Sequence, residues 1–248
     1  MAKGKGIAAA LGFTAIVLAL CVLCAGAVLL GDYLLGEGML DAGSAPEERS
    51  VLIVIDPGHG GMDGGAVGTN GALEKDINLS VAKKLYELCR IAGIDCRMTR
   101  ESDCMLVDDS IKTRRKMHDL KNRVAFAEAA GSDWDVTLFV SLHMNNFSQS
   151  RYSGLQVWYS KNDERSKSLA AYLQTYARTY LDSANEREIK AAGSSIYVLD
   201  RIKLPAVLIE CGFLSNPEEC ERLCNDEYQK SLASVIFAGL VGYIGGGM

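Results

Sequence analysis

VLIVIDPGHGG, residues 51–61, is the stretch from which the fold is read. VLIVID is a continuous apolar run of strand length. A strand apolar on both sides is one buried on both faces, as in a parallel sheet covered by helices. Pro57-Gly58 then breaks the strand, and His59 follows at once between glycines. In an open α/β sheet, ligands bind outside the carboxyl ends of the strands, which is where this imidazole emerges.

The pattern repeats downstream. DINLSVAKKLYELCRIAG has apolar residues at helical spacing, with Asp76 as the expected N-cap and Gly93 as the stop. IDCRMT reads as a second strand, KTRRKMHDLKNRVAFAEAAG as a helix ending at Gly131, and VTLFVSLH as another buried strand. LQVWYS is a further strand and 164–181 a helix. SIYVL and the strand AVLIE follow, then a helix opening after Asn216-Pro217 and a last helix from about Glu227 to Tyr243. Alternation of apolar strands with helices predicts one α/β domain over residues 50–246, with a mostly parallel twisted sheet covered by helices on both faces.

Three chemistry-bearing residues leave three strands at one edge. His59 follows the first strand, His143 closes VTLFVSLH, and Glu210 closes AVLIE. Glu74, in LEKDINL, comes from the loop and helix start behind the first strand and can return to the same edge. Two imidazoles and one carboxylate are the ligand set of a catalytic zinc site that keeps a position open. A further carboxylate beside such a site suits a hydrolase. The glycines flanking His59 permit tight turns and close packing. With no GxGxxG and no GxxxxGK[ST], a nucleotide site is not expected. Asp56 is a candidate orienter of His59, with a turn cap as the alternative. Asn145, two residues after His143, is a candidate for a substrate hydrogen bond or a loop cap.

The N-terminus has a different character. Residues 7–30 carry no charge; Lys3 and Lys5 precede them and Asp32, Glu37 and Asp41 follow. As a helix the run would span roughly 36 Å at 1.5 Å per residue, enough for a bilayer core of about 30 Å. The expectation is a cytoplasmic n-region (1–6), a transmembrane signal-anchor (7–30) and a tether (31–49), with the catalytic domain outside. A cleaved signal peptide, with a small-residue site at Ala25-Gly26-Ala27, is the competing reading, and it too exports the domain.

The chain has 248 residues, a formal charge of −5 and a pI of about 5.3, so no nucleic-acid partner is expected. Four prolines and no low-complexity tract argue against disorder or repeats. Six of the eight cysteines, Cys89, Cys96, Cys104, Cys211, Cys220 and Cys224, lie in the exported part. An oxidising exterior permits disulfides, yet a domain of this size needs no staples, so buried free thiols are expected. His118, on a helix without an acidic or histidine partner a turn away, reads as solvated. So does the basic cluster Lys112, Arg114, Arg115, Lys116, Lys121 and Arg123, with an anionic membrane or wall polymer as its alternative contact. Trp134, Trp158 and Tyr159 suit strand packing at least as well as sugar stacking.

DPGHGGMDGGAVG, LEKDINL, SLHMN and LIECGFLSN, in that order, resemble the four signature blocks of the zinc-dependent N-acetylmuramoyl-L-alanine amidases of bacterial cell walls, the amidase-3 type. The resemblance runs over essentially all of Val51 to Tyr243. It implies that His59, Glu74 and His143 hold Zn²⁺, that Glu210 is the catalytic carboxylate, and that the substrate is peptidoglycan. The anchor, the short tether, the absence of wall-binding repeats and the stretch MTRESDCMLVDDSIKTRRKMHDLKNRV resemble the germination or spore-cortex subgroup. That likeness implies an amidase that prepares muramic acid for δ-lactam formation, facing the cell wall or forespore cortex, with an activating lipoprotein partner conceivable. Met144, where the family often has alanine, is expected to reshape the pocket wall; Cys211 is compatible. The rival functions are a zinc peptidase acting on the stem peptide and an inactive wall-binding module.

Overall fold

A computed structural model describes residues 49–248 apart from 247. The expected n-region, membrane segment and nearly all of the tether lie outside the described residues. Among the described residues, no helix is long and apolar enough to cross a membrane.

The elements run β1 (Val51–Pro57), α1 (Glu74–Ile91), β2 (Asp95–Met98), α2 (Arg115–Ala130), β3 (Val136–Asn145), β4 (Gln156–Tyr159), α3 (Arg165–Tyr180), β5 (Lys190–Ala191), α4 (Tyr197–Arg201), β6 (Ala206–Phe213), α5 (Pro217–Cys224) and α6 (Asp226–Gly246). The sheet order is β2-β1-β3-β6-β4-β5. β2, β1, β3 and β6 are mutually parallel, β4 turns antiparallel against β6, and the short β5 runs parallel to β4. The expected mostly parallel α/β sheet is therefore present. SIYVL contributes to the short helix α4, and the two-residue β5 lies in a stretch with no strand pattern.

Strand periodicity divides the core in two. Ile53, Ile55, Leu138, Val140, Leu142, Val207 and Ile209 point to one face, where α1, α3 and α6 cover them with Val81, Leu85, Leu169, Leu173, Leu232 and Ile236. Leu52, Val54, Phe139 and Leu208 point to the other, beneath Val124 and Ala127 of α2 and Val198 and Leu199 of α4. Continuing that second register past the apolar residues gives Asp56, Ser141, His143 and Glu210. One face thus changes from oily to polar at the carboxyl ends of the strands.

Two helix starts show how local sequence sets boundaries. Asn216 caps α5 as expected, its side-chain oxygen accepting from the N–H groups of Glu218 (3.0 Å) and Glu219 (3.2 Å), with Pro217 opening the helix. Asp76 is not the cap of α1. The helix starts earlier, at Glu74, because the preceding loop supplies the cap: Glu74 N–H donates to Ala66 O (2.9 Å) and Lys75 N–H to Gly64 O (3.2 Å). Asp76 lies instead in the first turn, where its charge suits the helix dipole.

Of the cysteines, Cys89, Cys211 and Cys220 are buried free thiols as expected, Cys96 is half-buried, and Cys104 and Cys224 are exposed. The last two sit on a loop and at the end of a short helix, where no core reaches them. Trp134 and Trp158 pack against the second core cluster and Tyr159 against the first.

Candidate metal centre and active site

His59 is held in the left-handed region at φ 62°, a conformation that costs a non-glycine residue roughly 1–3 kcal/mol and persists only where the surroundings enforce it. It brings the ring edge-on to His143, centroids 4.9 Å apart. Glu74, the first residue of α1, is buried between them: its Oε1 lies 3.2 Å from His59 Nε2 and 2.9 Å from His143 Nδ1. One candidate ligand atom from each residue falls within 4.8 Å of the others. A tetrahedral ion with bonds of about 2.0–2.1 Å sets its donors roughly 3.3 Å apart, so two edges of the donor triangle already have the length zinc requires. Nitrogen and carboxylate donors at that spacing fit a zinc ion.

Backbone bulk is excluded where the donors converge. A Cβ on Gly58 would stand 2.2 Å from the His143 ring, and one on Gly65 2.5 Å from Glu74 Oε2. Glu74 is fixed further by Ala66 N–H donating to Oε2 (2.8 Å) and Met144 N–H to Oε1 (3.1 Å). Burial opposes its ionisation, but hydrogen bonds and charge from His143 and His59 outweigh that and hold the carboxyl well below the usual range. The same contacts, joined by Asp63, raise the His59 pKa against the effect of burial.

Glu210 pairs in register with His143 across β3 and β6, so the two side chains leave neighbouring strands on one face. Its Oε2 is enclosed and has no hydrogen-bond partner among the described residues. Burial, aided by the Glu74 charge, pushes the Glu210 carboxyl up to about 7. His59, His143 and Glu210 line a cavity of about 220 Å³, with Lys116 and Leu120 of α2 and the segment Ser195–Val198 on its far wall. A larger groove of about 410 Å³ between α1 and α6 is lined by Lys83, Lys84, Glu87 and Lys230 and holds none of the candidate residues.

Other expectations need correcting. Asp56 does not orient His59. Its oxygens are taken by Thr99 Oγ1 (2.6 Å), Arg123 Nη1 (2.7 Å) and Ser141 Oγ (2.7 Å), which overcome burial and keep its pKa low. The carboxylate beside His59 is Asp63, 2.9 Å from Nδ1 though off the ring N–H direction, and it also meets Lys116 Nζ at 3.0 Å. Arg123 is not solvated: it is 1% exposed and ion-paired with Asp56 and Asp119. Met144 leaves the pocket wall to its neighbours, because strand alternation turns its side chain into the core opposite His143. Asn145 does not line the cavity; its carbonyl accepts from Leu214 N–H (2.8 Å), tying the ends of β3 and β6 together. Asp63 and Arg100 escaped the sequence reading, which assigns Arg123 to a solvated face. An acid four residues after His59, and an Asp119–Arg123 pair at helical spacing among apolar residues, were the available signals.

What such an edge is equipped for is hydrolysis, since a carboxyl that exchanges its proton near neutrality stands beside donors able to grip a metal. The class is a hydrolase built on a mostly parallel α/β sheet. Residues 53–241 match the family model described as N-acetylmuramoyl-L-alanine amidase, and the chain belongs to that family, Amidase_3. Among its relatives is the germination-specific N-acetylmuramoyl-L-alanine amidase of Bacillus subtilis, 37% identical over 194 residues, covering 77% of this chain and 79% of the relative. The structure of the CwlD amidase from Clostridioides difficile in complex with the GerS lipoprotein is 39% identical and covers 78% of this chain and 98% of that one, with a TM-score of 0.72. AmiC2 of Nostoc punctiforme is 30% identical, covering 79% and 98% with a TM-score of 0.67. The protein is an N-acetylmuramoyl-L-alanine amidase acting on peptidoglycan.

Proposed function

We propose that this amidase is a zinc enzyme of the spore cortex, anchored in the membrane by residues 7–30 with its catalytic domain outside the cytoplasm. His59, Glu74 and His143 hold the metal, and Glu210 is the catalytic acid/base. The observation that carries this reading is the meeting of three metal-competent donors with an enclosed, unpartnered carboxylate oxygen at one strand edge.

The bond to be cut is the amide between the lactyl group of N-acetylmuramic acid and L-alanine. Zinc, when bound, supplies Lewis acidity, which acidifies water and polarises a carbonyl. Glu210 takes the proton from the attacking water and returns it to the departing alanine nitrogen. A carboxyl raised to about 7 exchanges protons readily in both directions near neutrality. Glu74 stays ionised, so its charge offsets part of the ion's and the two neutral imidazoles leave the site net positive. That balance favours the developing oxyanion. Leu120, Ile196 and Val198 supply an apolar stretch of the cavity wall.

The cortex role is supported by the germination-specific name of the Bacillus subtilis relative, and a lipoprotein partner by the GerS complex of the Clostridioides difficile amidase. Two experiments test these readings. Muropeptides incubated with the full chain release new L-alanine amino termini and intact muramic acid, while Glu210→Gln binds equal zinc and slows turnover by about 10²–10⁴-fold. Near wild-type turnover by Glu210→Gln removes the assigned role. Cortex from a strain lacking this protein contains no muramic-δ-lactam; its persistence removes the cortex assignment.

A further inference from the structure

The loop that presents His59 has three successive carbonyls, and two buried guanidinium groups occupy all three. Pro57 O accepts from Arg100 Nε (2.9 Å) and Arg123 Nη1 (2.8 Å), Gly58 O from Arg100 Nη2 (3.0 Å), and His59 O from Arg123 Nη2 (2.6 Å). Arg100 Nη2 also donates to Lys75 O (2.8 Å), in the first turn of α1 next to Glu74. Both side chains are nearly inaccessible, at 3% and 1% exposure. Burying two cations this close together is costly, and among the described residues Arg100 has no carboxylate in direct contact to offset it. The donors instead converge on the backbone that carries two of the three candidate ligands.

We propose that Arg100 and Arg123 are positioning residues that clamp the metal loop, with Arg100 fixing the separation of His59 from Glu74. The planar fork of a guanidinium can serve carbonyls of consecutive residues and of a second element at once, which a single ammonium cannot. His59 sits at positive φ, so its ring direction follows from how firmly the flanking peptides are held. Arg123 grips the loop from α2 and is neutralised by Asp56 and Asp119; Arg100 grips it from the end of β2 and reaches across to α1. The inference rests on His59, Glu74 and His143 being the metal site.

The test compares the full chain with Arg100→Met and Arg100→Lys. Zinc affinity is measured by competition with a chromophoric chelator, at a temperature where circular dichroism shows the native fold. Cobalt spectra report the ligand geometry. Arg100→Met leaves no orphaned carboxylate, and Arg100→Lys keeps the charge should the first variant not fold. Asn216→Ala, which removes the α5 cap and contacts neither guanidinium, controls for lost stability alone. Both Arg100 variants weaken zinc binding by about 10–100-fold, the usual cost of losing an outer-shell support, and shift the cobalt bands, while Asn216→Ala does neither. A folded Arg100 variant with zinc affinity within twofold of wild type, or an equal loss in Asn216→Ala, overturns the clamp. Wild-type protein that binds no zinc fails at the metal site itself, a distinct result.

Discussion

Asp63 and Glu210 show how two acids in one small site are pushed apart in role. Asp63 faces His59 Nδ1 and Lys116, and those partners lower its pKa despite partial burial, so it stays charged beside the imidazole. Asp63→Asn is expected to weaken zinc binding by about tenfold without removing it, read by chelator competition. Glu210 meets the opposite conditions, and the sign of its contribution to stability follows. Below about pH 4.5 the carboxyl is protonated whether the chain is folded or not, so its contribution is fully present. As pH rises through about 7 the folded protein must ionise an enclosed acid, and the contribution is lost. Metal-free Glu210→Gln should therefore melt close to wild type at pH 4.5 and above it at pH 8, by roughly 1–3 kcal/mol of stability. An equal gap at both pH values would contradict the raised pKa. Gly58→Ala acts through volume alone: its methyl would overlap the His143 ring, so metal binding and stability fall together, the latter by about 1–3 kcal/mol.

The elements explain why much of the molecule was legible from sequence and some was not. β1, β3 and β6 are apolar on both sides, as central strands are, so the edge that collects His59, His143 and Glu210 is legible in the sequence. Asn216-Pro217 was equally plain, because the cap and the proline act within one turn. Replacing Asn216 by Ala should cost about 1 kcal/mol, visible as a lower melting temperature with unchanged activity. Asp76 misled because the α1 cap comes from Ala66 and Gly64, residues that only the folded loop brings near. Arg123 misled for the same reason: it follows a run of basic residues in sequence, while its partners in space are Asp56 and the His59 carbonyl. β5, two residues long, has too little pattern to betray itself.

At the scale of the whole molecule, the sheet separates stability from chemistry. Three helices seal one face with large aliphatic residues, and that face supplies most of the core. The opposite face carries the thinner cover of α2 and α4 and opens into the cavity, so the polar site sits where the core is smallest. A ligand that binds only the folded state adds stability by mass action. Zinc at 100 times its dissociation constant should raise folding stability by about 2.7 kcal/mol, and a chelator should remove that gain. The most direct measurement is anomalous diffraction at the zinc edge from crystals grown with the metal. The expected result is one strong peak bounded by His59, Glu74 and His143, with the Glu210 carboxylate next to it; no peak there, or a peak held by other residues, would contradict the proposed centre.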